Sequence, residues 1–195
     1  MGRSSAEQAR QNRTRIVEVA SRLFRERGID AVSVSDIMAA AGMTVGGFYK
    51  HFASKEALAV EAAAFAFEDA VKLWGKVLGK ASGTSSELRG RLVEQYLRPN
   101  PQRHCPIISF APYAAGNEGN SSTRGAYETG TGALLATFAA NEARDLPSPE
   151  KDEPDQEILL LFAAMIGARV LGEAAGDADW VDAVKKAVIE RAGNE

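Results

Sequence analysis

Apolar residues recur along this chain at helical spacing and almost nowhere at strand spacing. Ile16, Ala20, Leu23 and Phe24 fall at i, i+4, i+7 and i+8, one face of a helix expected over residues 12–27. Gly28 directly follows its last basic residue, as a C-terminal cap does. Val34, Ile37, Met38 and Ala41 mark a second, short helix. Ser33 stands three residues before Asp36, the spacing of a capping box, and Gly42 ends the helix. Thr44 is placed to cap a third helix through Phe52, and Ser54 a fourth that runs to about residue 77. Turns this short between helices predict a compact module containing a helix-turn-helix.

Downstream the pattern stays helical. A loop begins at ASGTSS, and a helix is expected over residues 87–97. Pro99, Pro101 and Pro106 punctuate the next stretch, and HCPIISFAPYAAG reads as a short or kinked helix because of Pro112. Residues 116–122 read as a loop. A helix over 123–142 follows, weakened by Gly125, Gly130 and Gly132, and then a loop, LPSPEKDEP. Residues 155–174 place Ile158, Phe162, Met165 and Ile166 on one face, with Ala163, Ala164, Gly167 and Ala168 beside them. A helix apolar almost all round is buried on more than one side. In a chain of this size that suggests a subunit interface, with an ordinary intrachain core as the competing reading. Asp179 is placed to cap the final helix, whose stripe is Trp180, Val181, Val184, Ala187 and Val188. The expected fold class is all-α.

Charge divides the chain. Residues 1–55 carry nine Lys or Arg against five acids, a net of +4, and the remainder nets −7. A basic head on an acidic body suggests a polyanion partner for the head alone, against the plainer reading of a solvated arginine-rich helix. One cysteine, Cys105, excludes an intrachain disulfide framework, and one cysteine with two histidines supports no metal site. No cofactor is expected. The polar N-terminus lacks the apolar core of a secretory signal, and no uninterrupted apolar run reaches membrane-spanning length. A cytoplasmic protein without a membrane partner is therefore expected.

The segment SVSDIMAAAGMTVGGFYKHFASKEAL, residues 33–58, resembles the DNA-binding signature of the TetR/AcrR family of bacterial transcriptional regulators. Gly42, Phe48, Tyr49, His51, Phe52, Ser54, Lys55 and Leu58 match that pattern in register, and the likeness extends over roughly residues 12–65. It implies a three-helix helix-turn-helix module, residues 1–53. A helical-bundle domain that binds an effector and dimerises would follow, residues 54–195. The implied function is a regulator, most simply a repressor. It would bind double-stranded operator DNA as a homodimer paired through its last two helices. A small-molecule or thiol-reactive signal would release it.

A recognition helix presents its first turn to base edges in the major groove. Thr44 and Val45 open that turn, and Val45 offers only apolar contact, as to a thymine methyl. Gly46 and Gly47 each cost about 1 kcal/mol in a helix interior, which makes sense where backbone must approach DNA closely. Position 47 departs from the family's commoner Thr or Ser, leaving Tyr49 and Lys50 as the longest readers. Phosphate contacts are expected from Ser33 and Thr44 at helix N-termini, from Tyr49, His51 and Lys55, and from Arg13 and Arg15 along the first helix. Phe48 and Phe52 are expected to pack inward.

For the effector, the candidates are Trp74, Tyr96, Cys105, Phe110, Tyr113, Tyr127, Phe162 and Arg169, each with plain packing as its competitor. Cys105 follows His104 at an expected helix start, where an imidazolium and a helix N-terminus raise thiolate content. The opposing reading is a buried small hydrophobe. An enzyme using Cys105 and His104 is the rival class. Adjacent helical residues point in different directions, and no further catalytic motif accompanies them. A non-DNA-binding helical adaptor is the second rival.

Overall fold

The computed structural model describes residues 2–80, 82–98, 100, 104–115, 121–140, 155–176 and 178–194. Among them all regular structure is helical: α1 (Gly2–Arg27), α2 (Val34–Ala40), a 3₁₀ segment (Val45–Lys50), α3 (Lys55–Leu78), α4 (Ser85–Leu97), α5 (Pro106–Ala115), α6 (Ser121–Ala139), α7 (Gln156–Ala175) and α8 (Asp179–Gly193). The expected breaks at Pro99 and Pro101, the loop over 146–154 and residues 116–120 of the loop expected over 116–122 lie outside the described residues, while Ser121 and Ser122, expected in that loop, open α6. The chain forms two compact units, one of residues 1–69 and 104–130, the other of residues 70–103 and 131–195.

In the first unit the expected face of α1 is its buried face: Ile16, Ala20 and Phe24 are fully buried and Leu23 nearly so. The helix begins ten residues earlier than its apolar periodicity suggests, because residues 2–11 carry no apolar stripe to betray them. Gly28 caps it with φ +81°. Helix α2 has a complete capping box, Ser33 Oγ accepting from Asp36 N at 3.1 Å while Asp36 Oδ2 accepts from Ser33 N at 2.9 Å. It ends in a Schellman turn. Met43 N donates to Met38 O at 2.8 Å and Gly42 N to Ala39 O at 3.0 Å. Gly42 takes φ +74°, a left-handed conformation that a side chain would strain. Ser54 caps α3 as expected, its Oγ accepting from Ala57 N at 3.1 Å.

The same unit holds α5, tied to the end of α1. Arg25 Nη1 donates to His104 O at 3.3 Å, and Ser109 Oγ donates to Arg25 O at 3.3 Å. Phe67 packs on Tyr127 with ring centroids 5.8 Å apart and on Phe110 at 6.5 Å. Gly130 of α6 is what lets Phe67 lie flat, since a Cβ there would stand 2.2 Å from its ring.

In the second unit α4, α7 and α8 pack on one another. Helix α4 opens on a capping box between Thr84 and Glu87, two residues before its expected start. Buried Arg89 reaches from α4 to the end of α8, where Nε donates to Ala192 O at 3.0 Å. Gly90 faces Gly193, and a Cβ at Gly90 would meet its Cα at 3.0 Å, so α4 and α8 cross in near backbone contact. On α7, Ile158, Phe162 and Met165 are buried as expected, and Ile166 is half-buried. Two expectations for α8 are corrected. Asp179 is the first helical residue rather than its cap, which is Ala178 without a side-chain bond. Trp180 and Ala187 do not join the buried stripe of Val181 and Val188, Trp180 being 52% exposed, and Val184 is half-buried.

Two glycines of α6 should respond in opposite directions to alanine. Gly130→Ala drives a methyl into Phe67, and overpacking of this kind costs about 1–3 kcal/mol. Gly132 has open space where its Cβ would be, so Gly132→Ala should stabilise by about 0.5–1 kcal/mol. Denaturant melts of the two variants beside the parent protein check both signs.

Candidate nucleic-acid interface

The recognition segment is where the structure departs most from expectation. The α-helix expected over residues 44–52 is a 3₁₀ segment, Val45–Lys50, with Gly47 N donating to Thr44 O at 3.0 Å and His51 N to Phe48 O at 2.8 Å. Two adjacent glycines and a length of six residues favour the tighter, shorter helix. Thr44 holds the cap position but makes no side-chain capping bond.

The segment is two-faced. Phe48 is fully buried and Phe52 is 4% exposed, their ring centroids 5.7 Å apart. Between them Tyr49 is 71% exposed, standing edge-on to Phe48. Thr44, Val45, Gly46 and Lys50 share the solvent side, while Gly47 and His51 are half-buried. A Cβ at Gly46 would meet nothing within 4 Å, and one at Gly47 would touch only Met38 Cε at 3.7 Å. Internal packing therefore does not demand glycine at either position.

The basic candidates fall into two groups. Arg13 is engaged within the module: Nη1 and Nη2 donate to the two carboxylate oxygens of Glu61, each at 2.6 Å, and the guanidinium lies 4.6 Å from the Phe52 ring centroid. That bidentate pair fixes α1 to α3. Ser33 is similarly committed, because its hydroxyl donates to Asp36 Oδ2 at 2.6 Å. Those bonds hold the Asp36 carboxyl below the usual carboxylate range, so the α2 N-terminus carries its own anion. Arg15, Lys50 and Lys55, by contrast, make no ion pair among the described residues. Arg15 lies along the Gly42 turn, its Nη2 being 3.6 Å from where a Cβ of Gly42 would sit. Sequence reasoning missed Glu61, which is 48 residues from Arg13 and follows no periodic rule.

The eight effector candidates divide between the units. Trp74, Tyr96 and Phe162 form an aromatic cluster in the second unit with Phe138, which sequence reasoning did not single out. Trp74 stands 5.8 Å from Tyr96 and 6.2 Å from both Phe138 and Phe162. Arg169 stacks over Tyr96 at 5.5 Å, donates to the Tyr96 and Arg98 carbonyls, and pairs with Glu173 at 2.6 Å. Cys105, Phe110, Tyr113 and Tyr127 belong to the first unit. Cys105 is buried at the head of α5. Burial and the nearby Asp30 carboxylate push the Tyr113 hydroxyl up. A groove of about 650 Å³ lies on α7 and α8, floored by Leu160, Leu161, Ala164, Ala187 and Val188, and none of the eight candidates lines it.

A capped short helix, a glycine turn and an exposed segment held from beneath by aromatic residues define a helix-turn-helix protein. Residues 16–62 match the family described as "Bacterial regulatory proteins, tetR family". The chain is 47% identical to the HTH-type transcriptional repressor KstR2 of Rhodococcus jostii over 49 residues, 25% of this chain and 24% of that one. It is 40% identical to the regulator AcrR of Shigella flexneri over 58 residues, 30% and 27% of the two chains. These matches span only about a quarter of the curated relatives' length. The likeness in fold spans nearly the whole chain. A TetR transcriptional regulator from Chloroflexus aurantiacus superposes with TM-score 0.73 at 26% identity, covering 94% of this chain and 95% of that one. The reduced form of NemR from E. coli gives TM-score 0.74 at 17% identity, covering 91% and 95%. Residues 16–62 thus carry a DNA-binding domain of the tetR family of bacterial regulatory proteins, and nearly the whole chain shares the fold of a TetR transcriptional regulator.

The two faces of the segment should separate in stability measurements. Phe48→Ala should cost about 3–5 kcal/mol, the usual result of emptying a fully buried phenylalanine site. Tyr49→Ala should stay within about 0.5 kcal/mol of the parent, because its ring is largely in solvent. Thermal or denaturant melts check the contrast.

Proposed function

We propose that this regulator binds double-stranded operator DNA as a homodimer and represses transcription until a signal releases it. The observation that carries the reading is the alternation at 48, 49 and 52. Two buried phenylalanines fix the recognition segment from beneath, and Tyr49, with Thr44, Val45 and Lys50, is left facing outward. Val45 and Tyr49 meet base edges, Gly46 and Gly47 admit the backbone, and Arg15, Lys50, His51 and Lys55 meet phosphates. Few long side chains reach the bases in this reading, so DNA shape contributes to selectivity. Arg13, Ser33 and Thr44 contribute mainly by shaping the module.

The homodimer reading rests on α7 and α8. Leu160 is 72% exposed, Leu159, Val170 and Leu171 are exposed to a lesser degree, and so is Trp180. Leu160 lines the groove, and the others lie on the same two helices. A second copy covering that face buries what one chain leaves in water. Helix α7 is also long and apolar enough, by length and composition, to cross a membrane. Arg169 and Glu173, paired on its flank, and the packing of its other side on α4 and α8 favour a helix shared between two protein subunits. The molecule then works in the cytoplasm, with recognition segments about 34–36 Å apart to meet successive turns of DNA.

The signal reading is coarser. A small molecule held by the helical domain shifts the dimer between two spacings of its recognition segments. A thiol-reactive signal would act at Cys105, whose thiol lies near the Arg25 guanidinium. Burial of Cys105 favours the non-covalent signal. With N-ethylmaleimide as the probe, release of the parent protein from DNA but not of Cys105→Ser would establish the thiol route, and equal behaviour would remove it.

Gel shifts with duplex DNA from upstream of the protein's own gene test the DNA reading. Lys55→Ala should weaken binding to all sequences alike and lower the log–log salt slope by roughly one unit, the signature of one lost phosphate contact. An unchanged slope would remove Lys55 from the interface. Sedimentation should show a dimer for the parent protein and a monomer for Leu160→Glu. A monomeric parent at micromolar concentration would overturn the homodimer.

A further inference from the structure

The recognition segment ends at Lys50 and α3 begins at Lys55, so only the residues from His51 to Ser54 join them. The angle at this joint sets the direction in which Tyr49 points. Each side of the joint is tied to its own element. Phe52 N donates to Phe48 O at 3.1 Å, and Ser54 Oγ accepts from Ala57 N at 3.1 Å. Ala53, between them, is exposed. One side chain from outside spans the joint. The guanidinium of Arg13, on α1, lies 4.6 Å from the Phe52 ring centroid, and its Nη1 and Nη2 donate to the two carboxylate oxygens of Glu61 at 2.6 Å each. Glu61 stands seven residues after Ser54, about two turns of helix, and so shares Ser54's side of α3. Arg13 therefore touches the last anchored residue of one arm and a residue two turns into the other.

We infer that Glu61 and Arg13 are positioning residues for DNA binding, which hold the joint between the recognition segment and α3 at one angle without themselves touching DNA. The inference rests on the reading that the recognition segment enters duplex DNA. Three observations carry it. Both terminal nitrogens of Arg13 are engaged by Glu61 and one face of its guanidinium by Phe52, which leaves it poorly placed to hold a phosphate. The side chains of the pair are 43% and 39% exposed, and a pair so open to water contributes little to stability. What a bidentate fork supplies is direction. The third observation is the sign of Glu61. A carboxylate in the unit that meets a polyanion opposes binding on charge alone, so its use lies in what it holds. Glu61 is in this way an acid on which affinity for a polyanion depends.

The experiment measures affinity against salt for the whole chain on one duplex, the DNA upstream of its own gene. All measurements are made below the melting transition of every variant, so a lowered melting temperature does not enter the comparison. Glu61→Gln removes a negative charge, yet it should weaken binding several-fold with the salt slope of the parent. Arg13→Gln should weaken binding by a similar factor, again at the parental slope. The double variant should lose no more than the worse single one, because either substitution alone opens the same joint. Arg13→Lys keeps the charge but neither the fork nor the stacking plane, and should bind as Arg13→Gln does. Amide exchange over residues 47–52 of the free protein should quicken in all four variants. Binding of Glu61→Gln as tight as the parent's, or tighter, would overturn the inference. So would a slope lowered by roughly one unit in Arg13→Gln with parental affinity in Arg13→Lys, which would place Arg13 on a phosphate. Failure of the parent protein itself to bind duplex DNA is a separate result, and would overturn the DNA reading and the inference with it.

Discussion

Six residues with two glycines side by side do not hold a helix on their own, and the exposed face of the Val45–Lys50 segment depends on what holds it instead. Phe48 and Phe52 are sunk into the module, and the Schellman turn at Gly42 sets the direction in which the segment leaves α2. Two aromatic anchors and one left-handed residue thus replace the backbone cooperativity that a longer helix would supply. Tyr49 is exposed because its neighbour Phe48 is not. Removing the anchors leaves the segment with a few i→i+3 bonds, too few to define one conformation.

The anchors also explain why some basic residues do not face the solvent side. Arg13 stacks on Phe52 and holds Glu61 with both arms of its guanidinium, so its charge is spent on joining α1 to α3. The basic character of the first 55 residues is real, but not all of it is available to a polyanion. Among the candidate contact residues, what is available is Arg15, Lys50 and Lys55, around the Gly42 turn and the two ends of the loop between the recognition segment and α3.

Much of the fold was legible in periodicity and capping. The faces of α1, α2 and α7, the caps at Ser33, Ser54 and Gly28, and the breaks at Gly42 and Pro106 all follow from local rules that act within one turn of helix. What failed lies where those rules are silent. The start of α1 has no apolar stripe, so nothing in the pattern announces it. Adjacent glycines shifted the recognition segment from α to 3₁₀. Asp179 has the right chemistry for a cap, yet the chain enters α8 one residue earlier and uses Ala178. Trp180 fits an apolar stripe by spacing and still points to water. Pairings between distant residues, Arg13 with Glu61 or Arg89 with Ala192, left no trace in spacing at all. The effector candidates were chosen as aromatic and polar residues. That criterion finds cluster members such as Trp74 but not the arrangement that divides them between two units.

Helix α1 touches α2, α3 and α5 of the first unit. Its apolar face supports α2, its Arg13 grips α3, and its C-terminal turn is bonded in both directions to α5 through Arg25 and Ser109. Arg25 is half-buried there, and burial lowers the pKa of its guanidinium, partly offset by Asp69 and Glu26. A close-packed interior transmits small displacements rather than absorbing them. Two hydrogen bonds tie the head of α5 to the end of α1, and Arg13 ties the same helix to Phe52. The residues that place the recognition segment and those that attach α5 lie on one helix, 12 positions apart from Arg13 to Arg25, or about 18 Å along its axis. One helix thus carries both the contact over Phe52 and the bonds that hold the head of α5.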